Sequence, residues 1–271
     1  MKKILTRSIT GLCYISLLIA AMTCGKFVFL AVFSCMLILA VLEMITLCGK
    51  STKLTTIIDV LGSLTIFASA FFCEAFKLSC FNPIYVTATY IIIRSTTQLY
   101  IKEYNPILQL SASYLTLAIV LLPFVMLSDI FFSENGNTTI LACLIFIWTN
   151  DTGAFCVGSL IGKKRLFERI SPKKSWEGFF GGLFFTIIAS IIIGVYFPNY
   201  YEGLNLYQWI GLAIVVTIFS TWGDLIESMI KRTVGAKDSG NILPGHGGML
   251  DRIDSLLLVI PAIYIYLMII N

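Results

Sequence analysis

The chain has 271 residues, 58% of them hydrophobic and only 13% charged, with a formal net charge of +4. Soluble domains are about half apolar and roughly a quarter charged, so too little polar surface remains here for a fold that faces water on all sides. The charge is too modest to call for a nucleic-acid partner. The long apolar runs lack two-residue alternation and argue for membrane-spanning helices rather than a closed barrel.

The N-terminal stretch MKKILTRSITGLCYISLLIAAMTCGK has the basic start and apolar core of a signal peptide. No cleavage site stands out and another apolar run follows at once, so a retained first helix is expected. A span needs about 20 mostly apolar residues. That rule places candidates at about 8–24, 27–48, 55–72, 75–93, 107–131, 138–160, 177–197, 207–229 and 255–270. The fourth is the least regular, because Pro83 falls inside it and Glu74 and Lys77 open it. The eight cysteines are scattered through these runs without a CxxC pair, and there is one histidine, which argues against a zinc site or a disulfide framework. The expectation is an all-α polytopic membrane protein with about nine transmembrane helices.

Charge alternates between the connecting loops. Lys2, Lys3 and Arg7 precede the first span, Lys50 and Lys53 follow the second, and Arg94 and Lys102 follow the fourth. Lys163, Lys164, Arg165, Arg169, Lys173 and Lys174 follow the sixth, and Lys231, Arg232 and Lys237 follow the eighth. The intervening loops carry almost no Lys or Arg. Short basic loops stay in the cytoplasm, which predicts a cytoplasmic N-terminus and a C-terminus on the opposite side.

Ionisable residues are costly in lipid and face a cavity or a partner. Glu43, Asp59 and Asp129 in the first half lie near span ends, where they read as snorkelling or helix-terminal groups. Three clusters in the second half are harder to dismiss. The first is Asn150-Asp151-Thr152-Gly153 within the sixth span, together with the basic loop at 162–178. Lys173, Lys174 and Ser175 precede a span opening on Trp176-Glu177-Gly178, a setting that suits a phosphate at a helix start. The same lysines would also serve as cytoplasmic anchors. The second cluster is Asp224, Glu227, Ser228 and Lys231, whose spacing puts them on one helix face. An Asp/Glu pair there can bind a divalent cation through oxygens, although Glu227 and Lys231 alone would make an ordinary ion pair. The third is the loop at 237–255, with Gly245, Gly247 and Gly248 around His246 and with Asp251, Arg252 and Asp254 opening the last span. Such a loop can form an anion-binding nest, and acids in a first helical turn also answer the helix dipole. Carboxylates, cations and a glycine-rich loop together suit phosphoryl or nucleotidyl transfer. A transporter is the rival class, but its polar groups would lie at mid-membrane between repeats, and no repeat is visible.

The pattern Ser228-x-x-Lys231-Arg232-x4-Lys237-Asp238-x5-Pro244-Gly245-His246-Gly247-Gly248-x-x-Asp251-Arg252-x-Asp254 closely resembles the signature of the phosphatidate cytidylyltransferases, or CDP-diacylglycerol synthases. Asn150-Asp151-Thr152-Gly153-Ala154, Gly162-Lys163 and Ser171-Pro172-Lys173-Lys174-Ser175-Trp176-Glu177-Gly178 look like a second stretch of that family, with Phe155 where the family usually has Tyr. The specific resemblance covers about 140–260. It implies a reaction of CTP with phosphatidic acid at a membrane site facing the cytoplasm, in a cell inner (plasma) membrane. It also implies a Mg²⁺ cofactor, with a monovalent cation such as K⁺ as a companion, and a homodimer.

Carried over residue by residue, the resemblance makes Asp224 and Asp251 metal ligands and, with Lys231, the catalytic set. Asp151, Glu227 and Asp254 become supporting carboxylates. Lys173, Arg232 and Lys237 join Lys231 in holding triphosphate or lipid phosphate, and Lys174, Ser175, Ser228, Asp238 and Arg252 complete the substrate-binding set. Gly245, His246, Gly247 and Gly248 shape the nucleotide loop. Residues 1–135 would then be N-terminal transmembrane helices and 136–271 the catalytic region.

Overall fold

A computed structural model describes residues 2–49, 51–78, 82–102, 105–197, 203–240 and 247–270. In chain order the elements are α1 (Lys2–Thr23), α2 (Lys26–Cys48), α3 (Lys53–Phe76), α4 (Pro83–Leu99), α5 (Pro106–Thr116), a π-helical turn (Leu117–Leu121), α6 (Leu122–Phe132), α7 (Gly136–Ile161), β1 (Arg165–Phe167), β2 (Ser171–Ser175), α8 (Trp176–Tyr196), α9 (Leu206–Thr233) and α10 (Leu250–Ile270). Helix α5, the π-helical turn and α6 form one continuous rod. Among the described residues, 7 rods are long and apolar enough to cross a membrane, namely α2, α3, α5–α6, α7, α8, α9 and α10. Helix α1 contributes a shorter apolar stretch, Ile9–Thr23, and α4 has 17 residues. The chain is an all-α polytopic membrane protein.

The helix starts follow local chemistry. Thr52 and Thr55 form a reciprocal capping box at α3, satisfying amide donors that would otherwise lack partners. Asn82 accepts from the Ile84 amide at 2.9 Å, and Asn105 from the Leu108 amide at 3.1 Å. Each of these asparagines is followed by a proline at the first helical position, where a missing N–H costs nothing. This corrects the fourth expected span. Pro83 begins the helix instead of interrupting it, and Glu74 and Lys77 belong to the end of α3, where they pair at 2.8 Å. The later start carries Arg94 out of the expected loop and into α4.

The chain divides into two compact units, Met1–Phe132 with Thr233–Ile253, and Ser133–Arg232 with Asp254–Asn271. The first unit packs an aromatic core in which Phe29 stacks on Phe131 at 4.1 Å and Phe67 meets Phe124 edge-on at 6.0 Å. Lipid gives no hydrophobic drive for helix association, so such close packing holds the helices together. Beside that core, Asp59 of α3 is 2% exposed and Arg94 of α4 is 1% exposed. Arg94 Nε donates to Asp59 Oδ1 at 3.0 Å, the Tyr90 hydroxyl to the same oxygen at 2.8 Å, and the Ser113 hydroxyl to Asp59 Oδ2 at 2.7 Å. Arg94 Nη1 donates to Gln98 Oε1 at 2.9 Å. Asp59 therefore does not snorkel and Arg94 does not anchor a loop. They neutralise each other inside the helices, as lipid requires.

In the second unit α7 and α8 approach closely through small residues. A Cβ on Gly153 would lie only 3.2 Å from Gly182 Cα. The strands β1 and β2 pair antiparallel, with Arg165 opposite Ser175 and Phe167 opposite Ser171. This short hairpin stands where only a basic loop was expected.

Candidate functional site

In the second unit, α9 presents the four polar residues expected on one face. Ser228 Oγ donates to Asp224 Oδ1 at 3.2 Å, and Lys231 pairs with Glu227, both side chains being largely buried. Helix α10 adds Asp254. One carboxylate oxygen from each of Asp224, Glu227 and Asp254 lies within 4.8 Å of the others. Three carboxylates at that spacing repel one another unless cations compensate them. Lys231 serves Glu227, and Lys174 Nζ reaches Asp224 Oδ2 at 2.5 Å. Two ammonium groups against three carboxylates leave the cluster negative. All the donors are hard oxygens, the kind Mg²⁺ takes, so the residues fit a divalent cation. Asp151 of α7 is exposed and stands within electrostatic range of Lys174 and Asp224.

The hairpin delivers Lys174. Lys173 is exposed while Lys174 is half-buried, with its ammonium also 3.5 Å from the Thr221 carbonyl. The hairpin is closed by Glu177, whose carboxylate accepts from the Lys163 amide at 3.1 Å and the Lys164 amide at 3.2 Å. Ser175 is buried and caps α8 by accepting from the Gly178 amide at 3.1 Å.

The approach of α9 to α10 is set by Ser220, Gly223 and Ser255, which are absent from the sequence reading. Ser220 Oγ accepts from Asn150 Nδ2 at 2.9 Å, and the Ser220 carbonyl accepts from Ser255 Oγ at 3.4 Å. Gly223 lies against the α10 backbone, where a Cβ would come within 2.5 Å of the Asp254 carbonyl and 3.1 Å of Ser255 Cα. Backbone cannot yield as a side chain can. Gly223→Ala is therefore expected to destabilise the purified protein by about 1–3 kcal/mol, seen as a lower unfolding temperature in detergent. An unchanged temperature would mean that the two helices part without cost. The signal available in the sequence was a glycine directly before the first acid of the cluster.

The first unit holds the other expected residues. Asp251 Oδ2 accepts from the Gly248 amide at 2.8 Å and from the Ser239 amide at 3.0 Å. Gly247 has φ 80°, which a glycine adopts without strain. Lys237, Asp238 and Arg252 are exposed, and the Arg252 carbonyl accepts from the Tyr14 hydroxyl at 3.1 Å. Arg232 lies in the last turn of α9, in the second unit, and is exposed. Gly245 and His246 lie outside the described residues. Asp224 thus groups with Glu227 and Asp254, while Asp251 holds the backbone of the first unit. Glu43 and Ser239 also belong to that hold, and sequence reasoning missed both. The signal for Glu43 was a lone acid inside an otherwise apolar run.

Fold and site together define an integral membrane protein with an acidic cluster shared by two spanning helices and only partly offset by two lysines. A model described as the cytidylyltransferase family matches residues 5–270, and the chain belongs to that family. It is similar to the phosphatidate cytidylyltransferase of Staphylococcus aureus (strain COL), at 42% identity over 134 residues, 49% of this chain and 50% of that one. The phosphatidate cytidylyltransferase of Staphylococcus haemolyticus (strain JCSC1435) is 44% identical over 134 residues, with the same shares. The chain spans about half the length of the curated relatives it matches.

Proposed function

We propose that this protein transfers a cytidylyl group from CTP to phosphatidic acid, giving CDP-diacylglycerol and pyrophosphate. The observation that carries the reading is the group of Asp224, Glu227 and Asp254, with Lys174 and Lys231 beside it. Family membership and the names of the relatives point the same way.

In this reading a phosphate oxygen of phosphatidic acid attacks the α-phosphorus of CTP in line. A new P–O bond forms, and the bond to the β-phosphate oxygen breaks with its electron pair leaving on pyrophosphate. The attacking phosphate is already anionic near neutral pH, so no strong general base is required. Asp224, Glu227 and Asp254 would hold Mg²⁺, and Asp251 is retained as a carboxylate assigned by resemblance. The ion's contribution when bound is to offset repulsion between the two anionic substrates and the charge on the departing pyrophosphate. Lys174 and Lys231 keep the carboxylates close to one another before any substrate arrives. Lys173, Arg232 and Lys237, all exposed, are suited to meet triphosphate or lipid phosphate. The alternation of basic loops supports a cytoplasmic N-terminus and a cytoplasmic site, in a plasma membrane, with the acyl tails left in the bilayer.

The direct test is purified protein with labelled CTP and phosphatidic acid, scored for CDP-diacylglycerol and pyrophosphate by chromatography. Turnover is expected to stop on chelation and to return with added Mg²⁺. Absence of a CDP-lipid under these conditions, or a clear preference for an ether-lipid phosphate, would overturn the reading.

A further inference from the structure

Glu43 is the sole acid of α2 and is 5% exposed. A buried carboxylate in a spanning helix is expensive unless it is compensated. Here the compensation comes from backbone. Glu43 Oε1 accepts from the Met249 amide at 2.8 Å, and Oε2 accepts from the Leu250 amide at 2.8 Å. Helix α10 begins at Leu250, so a residue 206 positions before Met249 supplies acceptor and negative charge to its N-terminus. The Ser239 hydroxyl lies 2.9 Å from Glu43 Oε2 and 3.0 Å from Asp251 Oδ2.

The backbone is shaped around this carboxylate. A Cβ on Gly240 would sit 2.8 Å from Glu43 Oε1, and a Cβ on Gly248 would overlap Glu43 Oε2 and the Ser239 hydroxyl. Glu43 and Asp251 thus hold Ser239–Gly240 and Gly247–Leu250. The contacts use backbone amides and glycines of the very stretch that the resemblance assigns to the nucleotide.

We propose that Glu43 is a positioning residue for cytidylyl transfer. Its carboxylate fixes Ser239 and Met249–Leu250, and through them Gly247, Gly248 and Asp251, so that CTP meets one arrangement of these residues. The inference rests on the reading of this chain as an enzyme that uses CTP.

The experiment compares purified wild type with Glu43→Gln, Glu43→Asp and Ser239→Ala in two readouts: kinetics with CTP and phosphatidic acid, and amide hydrogen exchange at Met249 and Leu250. A carboxamide offers one acceptor oxygen where the carboxylate offers two, so Glu43→Gln leaves one of those amides unserved. The expected result is a CTP KM raised about tenfold, within the range seen for supporting residues, with the phosphatidate KM unchanged. Exchange at the two amides should be about tenfold faster or more, and Glu43→Asp should restore part of both effects. A purely structural residue would lower the yield of folded protein without moving the CTP KM.

A wild-type CTP KM in Glu43→Gln would overturn the proposal, whatever the exchange at Met249 and Leu250. If Glu43→Gln does not fold, Ser239→Ala decides, because it loosens the same hold by one hydrogen bond; no change in either readout would overturn it. A wild-type protein that makes no CDP-lipid would defeat the reading beneath the proposal, and faster exchange in Glu43→Gln would then report a helix cap alone.

Discussion

Alanine at Asp224 is expected to lower CTP-dependent CDP-diacylglycerol formation by about 10²–10³-fold, the usual cost of removing a charge-stabilising group from a reaction site. One oxygen of this carboxylate takes the Ser228 hydroxyl and the other the Lys174 ammonium. Its loss removes one arm of the three-carboxylate group and strands the lysine that the hairpin delivers. Asp224→Asn keeps the shape and loses the charge, and is expected to be nearly as inactive. Raising Mg²⁺ should recover little in either variant. The measurement is CDP-lipid formation by membranes holding matched amounts of protein, with Mg²⁺ titrated. Asp251→Ala belongs in the same series: it removes a carboxylate assigned to the metal by resemblance and frees the Gly248 and Ser239 amides. Near wild-type turnover in both Asp224→Ala and Asp251→Ala would defeat the metal assignment.

The largest loss of stability is expected from Arg94→Ala. Asp59 would then be left with two hydroxyl donors, Tyr90 and Ser113, and no positive charge, deep among α3, α4 and α5. Breaking a buried pair by removing one partner costs about 3–5 kcal/mol, because the surviving charge stays buried. The expected readout is a sharp fall in the yield of detergent-stable protein and in its unfolding temperature. Replacing both partners, as in Asp59→Leu with Arg94→Leu, should recover much of the loss. Whatever fraction of Arg94→Ala folds is expected to keep the wild-type CTP KM, in contrast to Glu43→Gln. Wild-type stability in Arg94→Ala would show that the pair contributes nothing to the fold.

The helical architecture was legible because lipid imposes a crude demand, a long apolar run, and every expected segment but the fourth follows a helix or the α5–α6 rod closely. The face of α9 was legible for a similar reason: offsets of three, four and seven residues decide which side chains share a side. What could not be read is what depends on a partner distant in sequence. Asp254 was ranked as a supporting acid, since nothing in its own segment says that Asp224 and Glu227 will lie beside it. Arg94 reads as a loop residue because an apolar run begins ahead of Pro83 and draws the fourth span to an end at 93, and a residue's spacing does not reveal whether it is buried against Asp59. Glu43 was set aside as a helix-end group, although it is satisfied by amides 206 and 207 positions away. The hairpin was missed because strands of three and five residues are too short to show a pattern of their own.

Lys174 stands half-buried beside Asp224, and its neighbour Lys173 is exposed. A slip of one position in the hairpin would move Lys174 away from that carboxylate. In one direction the slip would bring Lys173 into its place, so an ammonium would still reach Asp224. In the other it would bring Ser175, and the counter-ion would be lost. The doublet thus gives the cluster a spare cation against one direction of register error, in a hairpin whose pairing is irregular between Arg165 and Phe167.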